Sequence, residues 1–94
     1  MLRNVVMMKF KSGYDQELLG TLIQRLKSLN CPGTIGYSIG LDAGLREGNW
    51  DLAIVADFED IDSYRGYDSD DEHNRIRAEL AGLLAEVARA QFIL

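Results

Sequence analysis

A single cysteine, Cys31, leaves no partner for an intrachain disulfide and too few thiolates for a metal cluster within one chain. A lone thiol suits a reducing compartment, so a cytoplasmic location is expected. Cys31 precedes Pro32, the only proline, and with no base near it in sequence it reads as a partly buried residue before a turn. No apolar run approaches the roughly 18 residues of a membrane span, and Met1-Leu2-Arg3-Asn4 does not open a secretory leader. Basic residues are few, 10 against 15 acidic ones, and they lie scattered. The formal charge of -5 therefore disfavours nucleic acid and anionic membrane as partners. Neither a metal site nor a cofactor is expected.

What is present is the pattern of one small globular domain spanning residues 1–94. A chain of this size buries about 60–65% of the surface its unfolded form exposes, which leaves no room for a second core. Asn4 to Phe10 is rich in strand formers, with apolar residues on both faces. Leu18, Leu19, Leu22, Ile23, Leu26 and Leu29 recur at three- and four-residue steps and predict a helix over about 15–29, closed by Pro32-Gly33. Thr34 to Leu41 alternates Ile35, Tyr37, Ile39 and Leu41 with Gly36, Ser38 and Gly40, a second strand. A glycine- and charge-rich loop, 42–49, leads to a third strand over 50–58. Its inner side is assigned Trp50, Leu52, Ile54, Ala56 and Phe58, its outer side Asp51, Ala53, Val55 and Asp57. A short helix through Tyr64, closed by Gly66, and an acidic turn over 67–72 then precede a helix carrying Ile76, Leu80, Leu83, Leu84 and Val87. A last strand is expected over 88–94.

The order β-α-β-β-α-β predicts an α+β fold, a ferredoxin-like split β-α-β protomer with a four-stranded antiparallel sheet and all helices on one face. Val5, Met7, Ala53 and Val55 then line a face that no helix of this chain covers. Apolar sheet surface left in water marks an interaction site, and a second copy packed face to face is its commonest cover. A homodimer is expected.

Val5-Val6-Met7-Met8-Lys9-Phe10-Lys11, Pro32-Gly33, Asp51-Leu52-Ala53-Ile54-Val55 through Phe58-Glu59, and Tyr64 with His73 resemble the stress-responsive A/B barrel (Dabb) family over almost the whole chain. That resemblance implies a dimeric α/β barrel. It also implies a candidate chemistry, because olivetolic acid cyclase in this family closes a polyketide chain without a cofactor, using a tyrosine and a histidine six residues apart. Tyr67 and His73 occupy those positions. A base near neutral pKa removes a proton beside a carbonyl and a donor holds the enolate oxygen, roles that fall to His73 and Tyr67. The family's His-Pro-x-His is here Asp70-Asp71-Glu72-His73, a pocket histidine of the first strand is Asn4, and one of the third strand is Leu52. Olivetolic acid is thus not the expected product, and Asn4, Trp50, Leu52 and Tyr37 are the residues expected to bind a substrate beside His73 and Tyr67.

Simpler readings stand beside these. His73 alone reads as a polar residue at a helix start, Tyr67 as a core-edge aromatic, and Trp50 and Tyr37 as core or pocket walls. Asp68-Ser69-Asp70-Asp71-Glu72 partly echoes a calcium loop, but His73 stands where the sharp turn needs glycine, so a solvated helix start is the better reading. The glycines lack the strand–loop–helix and lysine context of a phosphate loop. Asp51 and Asp57, on the uncovered face, require partners such as Arg3 or Lys9. Three functions follow: a cofactor-free enzyme acting on a small carbonyl compound, a non-catalytic dimer that binds a small molecule or serves a stress response, and a monooxygenase of the same superfold, of which Asn4, Tyr67 and His73 are a loose echo. A cyclase needs a cavity of about 300 Å³ or more, open beside His73.

Overall fold

A computed structural model describes all residues, 1–94. Seven elements follow one another: β1 (Leu2–Phe10), α1 (Gln16–Lys27), β2 (Thr34–Leu41), β3 (Leu52–Phe58), α2 (Ile61–Asp68), α3 (Asp71–Ala81) and β4 (Leu84–Ile93). The strands form one antiparallel sheet in the order β2-β3-β1-β4. The expected fold is the observed one.

Alternation along β1 sends Leu2, Asn4, Val6, Met8 and Phe10 to the buried side. Their cross-strand partners Phe58, Ala56, Ile54 and Leu52 do the same on β3. Onto this surface α1 lowers Leu19, Leu22 and Leu26, and α3 adds Ile76 and Leu80. Asp15 starts α1 by accepting a hydrogen bond from the Leu18 N–H at 3.0 Å. A smaller cluster of Cys31, Ala56, Phe58 and Tyr67 packs beside the main one, so Cys31 is buried as expected. The residue before the proline is thus part of the core.

The opposite face carries Val5, Met7, Ala53 and Val55, joined by Gly36 and Ser38 from β2 and by Ala88, Ala90 and Phe92 from β4. No helix lies over it. Asp57 has the expected partner, because Arg3 faces it directly and holds it with two bonds, of 2.7 and 2.8 Å. Asp51 does not. Its carboxylate accepts the Phe10 N–H at 2.9 Å, where a bulge after Lys9 interrupts the β1–β4 ladder. Lys9 pairs instead with Glu86 at 3.7 Å.

Four boundaries differ from expectation. Gly66 does not close α2, which runs on to Asp68, because a glycine inside a helix costs only about 1 kcal/mol and packing of Tyr67 outweighs it. The acidic turn shrinks to Ser69 and Asp70 between two helices. Helix α3 ends at Ala81 with Gly82 as its C-cap, so Leu84 and Val87 belong to β4, which pairs with β1 from Phe10 back to Leu2. The three-residue step from Leu84 to Val87 continues the helical spacing and would split a regular strand between two faces, but the bulge opposite Lys9 and Phe10 sets both residues against the inner side of β1, which only the ladder reveals. Strand β3 starts at Leu52, leaving Trp50 outside it.

Candidate functional site

The junction of α2 and α3 explains the spacing of Tyr67 and His73. Tyr67 lies in the last turn of α2, where backbone carbonyls have no partner within the helix. Two residues later Asp70 caps α3 and accepts the His73 N–H at 2.9 Å. This short link folds the histidine back over the tyrosine, and the rings stack with centroids 3.9 Å apart. His73 Nδ1 lies 2.9 Å from the Tyr67 carbonyl oxygen. In this junction six residues carry the chain from the last turn of α2 to the first turn of α3 and bring the two groups into contact.

His73 Nδ1 also lies 2.9 Å from Arg77 Nη2. Only one of the two contacts is a hydrogen bond. Nη2 carries two hydrogens, and the Asp68 carbonyl and carboxylate take them at 3.0 and 2.9 Å. Nδ1 therefore donates to Tyr67, which leaves the lone pair of the neutral ring on Nε2. Burial, and then the Arg77 guanidinium, hold the His73 pKa below its ordinary value. The imidazole is neutral at pH 7, and its Nε2 has no partner within the chain.

His73 is 8% exposed and lines a cavity of about 50 Å³ between helices and sheet. Tyr67 and Arg77 share the helical side of that cavity, while Asn4, Val6 and Ile54 form its sheet side. Asn4, 3% exposed, accepts a hydrogen bond from Gln91 Nε2 at 3.0 Å on its Oδ1. Its Nδ2 hydrogens find no acceptor in the chain. The polar groups on the cavity wall without a partner in the chain thus include a ring nitrogen, an amide donor and the guanidinium of Arg89.

The other expected site residues fall differently. Tyr67 contributes its ring to the cavity, but its hydroxyl is 3.0 Å from the hydroxyl of Tyr37, which is not on the cavity wall. Burial raises the pKa of both phenols, so both stay protonated. Leu52 belongs to the core at 2% exposure, and the β3 wall of the cavity is Ile54. Trp50 was expected on the helix side and is on the other. Its ring lies under the Lys9 ammonium, 4.9 Å from centroid to Nζ, beside Met7 and Ala53. With β3 beginning two residues later, strand alternation no longer governs it.

Sequence reasoning missed Arg77, Arg89 and Gln91. The first had a readable signal, four residues after His73 on one helix face. Arg89 and Gln91 become neighbours of Val6 and Asn4 only through the β1–β4 register. Asp68, Asp70 and Glu72, the core of the calcium-like segment, are engaged by Arg77, the His73 N–H and Arg25. No group of three or more histidine, cysteine, aspartate or glutamate side chains is arranged to hold a metal ion.

Among solved structures, a dimeric ferredoxin-like protein of unknown function from Thermobifida fusca YX is 28% identical, with a TM-score of 0.89 over 99% of this chain and 90% of that one. A hydroxynitrile lyase from Passiflora edulis shares the fold at 16% identity, with a TM-score of 0.84 over 99% of this chain and 92% of that one. A Dabb family protein with a ferredoxin-like fold from Mesorhizobium loti is 11% identical, with a TM-score of 0.76 over 99% of this chain and 95% of that one. No curated protein matches by sequence. The family model described as Stress responsive A/B Barrel Domain matches residues 2–93, and the chain belongs to that family.

Proposed function

We propose that the chain works as a homodimer closed through its open sheet face, and that His73 serves in each copy as the base of a cofactor-free proton transfer on a small carbonyl compound. The dimer reading is supported by the uncovered apolar face and by relatives described as dimeric. A cytoplasmic location suits the one buried thiol, and no helix is long and apolar enough to cross a membrane. The observation that carries the chemistry is the anchored, neutral His73 with Nε2 unpaired beside the free Asn4 amide.

In the proposed reaction Nε2 takes a proton from the carbon next to the carbonyl. The electron pair of that C–H bond moves onto the carbonyl oxygen, where the Asn4 Nδ2–H donates a hydrogen bond. Arg77 beside the ring keeps the imidazolium acidic, so it returns its proton to the intermediate. Tyr67 acts through its ring and its carbonyl, which hold the imidazole in place. The Passiflora hydroxynitrile lyase supports the reading to the extent that the same fold serves an enzyme there.

One observation favours the non-catalytic alternative. A cavity of about 50 Å³ is far below the roughly 300 Å³ of an enclosing ligand pocket, so only a small head group enters it as it stands. The same volume argues against the monooxygenase reading of Asn4, Tyr67 and His73, and against a polyketide chain. Deuterium exchange separates the two readings. Small ketones and 2-oxo acids incubated in D₂O should lose the protons beside their carbonyls faster with the wild type than with His73→Ala. Equal exchange for both proteins would leave the binding module.

A further inference from the structure

We infer that the ligand of the His73 cavity carries a negative charge next to its carbonyl, a small 2-oxo carboxylate in chemical class, recognised by Arg89 together with Arg77. The inference rests on the reading of His73 given above and names its substrate class. Its starting point is volume. About 50 Å³ holds a carbonyl head and little else, so the remainder of any ligand lies at the cavity edge. That edge is cationic.

Two arginines and one carboxylate, Asp68, line the cavity, in a chain whose formal charge is -5. Arg77 is held by Asp68, yet its Nε–H is buried without an acceptor, so Asp68 alone does not satisfy the guanidinium. Arg89 is exposed and belongs to no ion pair, and of the two basic residues that line the cavity it is the one without a carboxylate partner. The register places it opposite Val6, two residues from the Gln91 that holds Asn4. Its side chain leaves the sheet on the helix side, away from the face that a second copy would cover. A guanidinium offers a forked set of donors that a carboxylate accepts in pairs. A carboxylate at this edge leaves the adjacent carbonyl one bond further in, toward Asn4 and His73.

The single histidine makes the test direct, because His73 supplies the only imidazole ring signals in a proton–carbon NMR spectrum. Pyruvate and uncharged 2,3-butanedione are titrated separately into the full-length protein. Pyruvate should move the His73 signal at lower concentration than butanedione does, and added salt should weaken pyruvate alone. Arg89→Gln, an exposed change on an edge strand, should weaken pyruvate at least tenfold and leave butanedione unchanged, while Arg89→Lys restores part of the loss. If both compounds act alike, or Arg89→Gln leaves pyruvate unaffected, the anionic preference is overturned and the His73 site stands. If neither compound moves the signal, the His73 site falls and this inference with it.

Discussion

Replacing Gly33 with alanine should destabilise the protein by about 2–4 kcal/mol and disturb the site from a distance. Gly33 has φ +82, a left-handed conformation that costs a residue with a Cβ about 1–2 kcal/mol. A Cβ built there would lie 2.0 Å from Ser63 Oγ and 2.5 Å from Ser63 Cβ, so Ser63 must move. Ser63 is not free to do so. Its N–H and hydroxyl both donate to Asp60 at 2.8 Å, which forms the N-cap of α2, and loss of such a cap costs about 1 kcal/mol. Gly33 is tied in turn, its carbonyl accepting the Glu59 N–H at 2.9 Å. The sum compares with a total stability of about 5–14 kcal/mol for a chain of this length.

The assay is urea unfolding at fixed protomer concentration, run as a double-mutant cycle with Ser63→Gly. With Ser63 reduced to glycine, the nearest remaining atom is Cα at 3.7 Å, an ordinary contact. The alanine then costs only its conformational share, so the pair should recover about 1–2 kcal/mol relative to the sum of the single changes. Because α2 carries the Tyr67 carbonyl, Gly33→Ala should also shift the His73 ring signal, and the pair should restore it. Additivity within about 0.5 kcal/mol would refute the contact argument.

His73 binds its proton less readily folded than unfolded, so the unfolded chain takes up more protons below about pH 6.5. Stability should be full above that pH and fall as pH drops toward 5, and His73→Gln should flatten this slope in unfolding midpoints measured across the window. A slope unchanged by the substitution would mean that the ring is not buried as described. Tyr67→Phe should cost about 1 kcal/mol by stripping Tyr37 of its partner, while leaving the His73 ring signal nearly in place, since the stacked ring remains. If the open sheet face is the homodimer interface as proposed, Val55→Lys at its middle should lower the sedimentation coefficient from a dimer's to a monomer's at micromolar concentration without altering far-ultraviolet circular dichroism. A sedimentation coefficient equal to that of the wild type would place the interface elsewhere. Leu22→Ala should lower stability by about 2–5 kcal/mol in the same urea assay, because Leu22 is fully buried between α1 and the sheet.

Much of the fold is legible in the residues because the signals are periodic and local. Alternation along β1 and β3 separates Val6, Met8 and Ile54 from Val5, Met7 and Val55 without reference to any other strand. The stripe of Leu19, Leu22 and Leu26 does the same for α1. Boundaries failed where the local signal has two solutions. Leu83, Leu84 and Val87 continue the helical spacing of Ile76 and Leu80 until the bulged pairing with β1 claims the last two for a strand, and Gly66 reads as a stop until Tyr67 is seen to pack against Phe58.

The sequence alone determined the buried sides of β1, α1 and β3 from Leu52 on and which sheet face is left bare, since helix and strand periods dictate these one segment at a time, while the pairing of Tyr67 with His73 came from the family resemblance. Tertiary structure alone decided that Trp50 faces away from His73, that the Tyr67 hydroxyl goes to Tyr37, and that Arg89 and Gln91 join Asn4 at the cavity. The first depends on where β3 begins and the second on how α2 sets Tyr67 against Tyr37 of β2, while the third depends on register between strands far apart in the chain, where a shift of one residue turns every side chain to the other face.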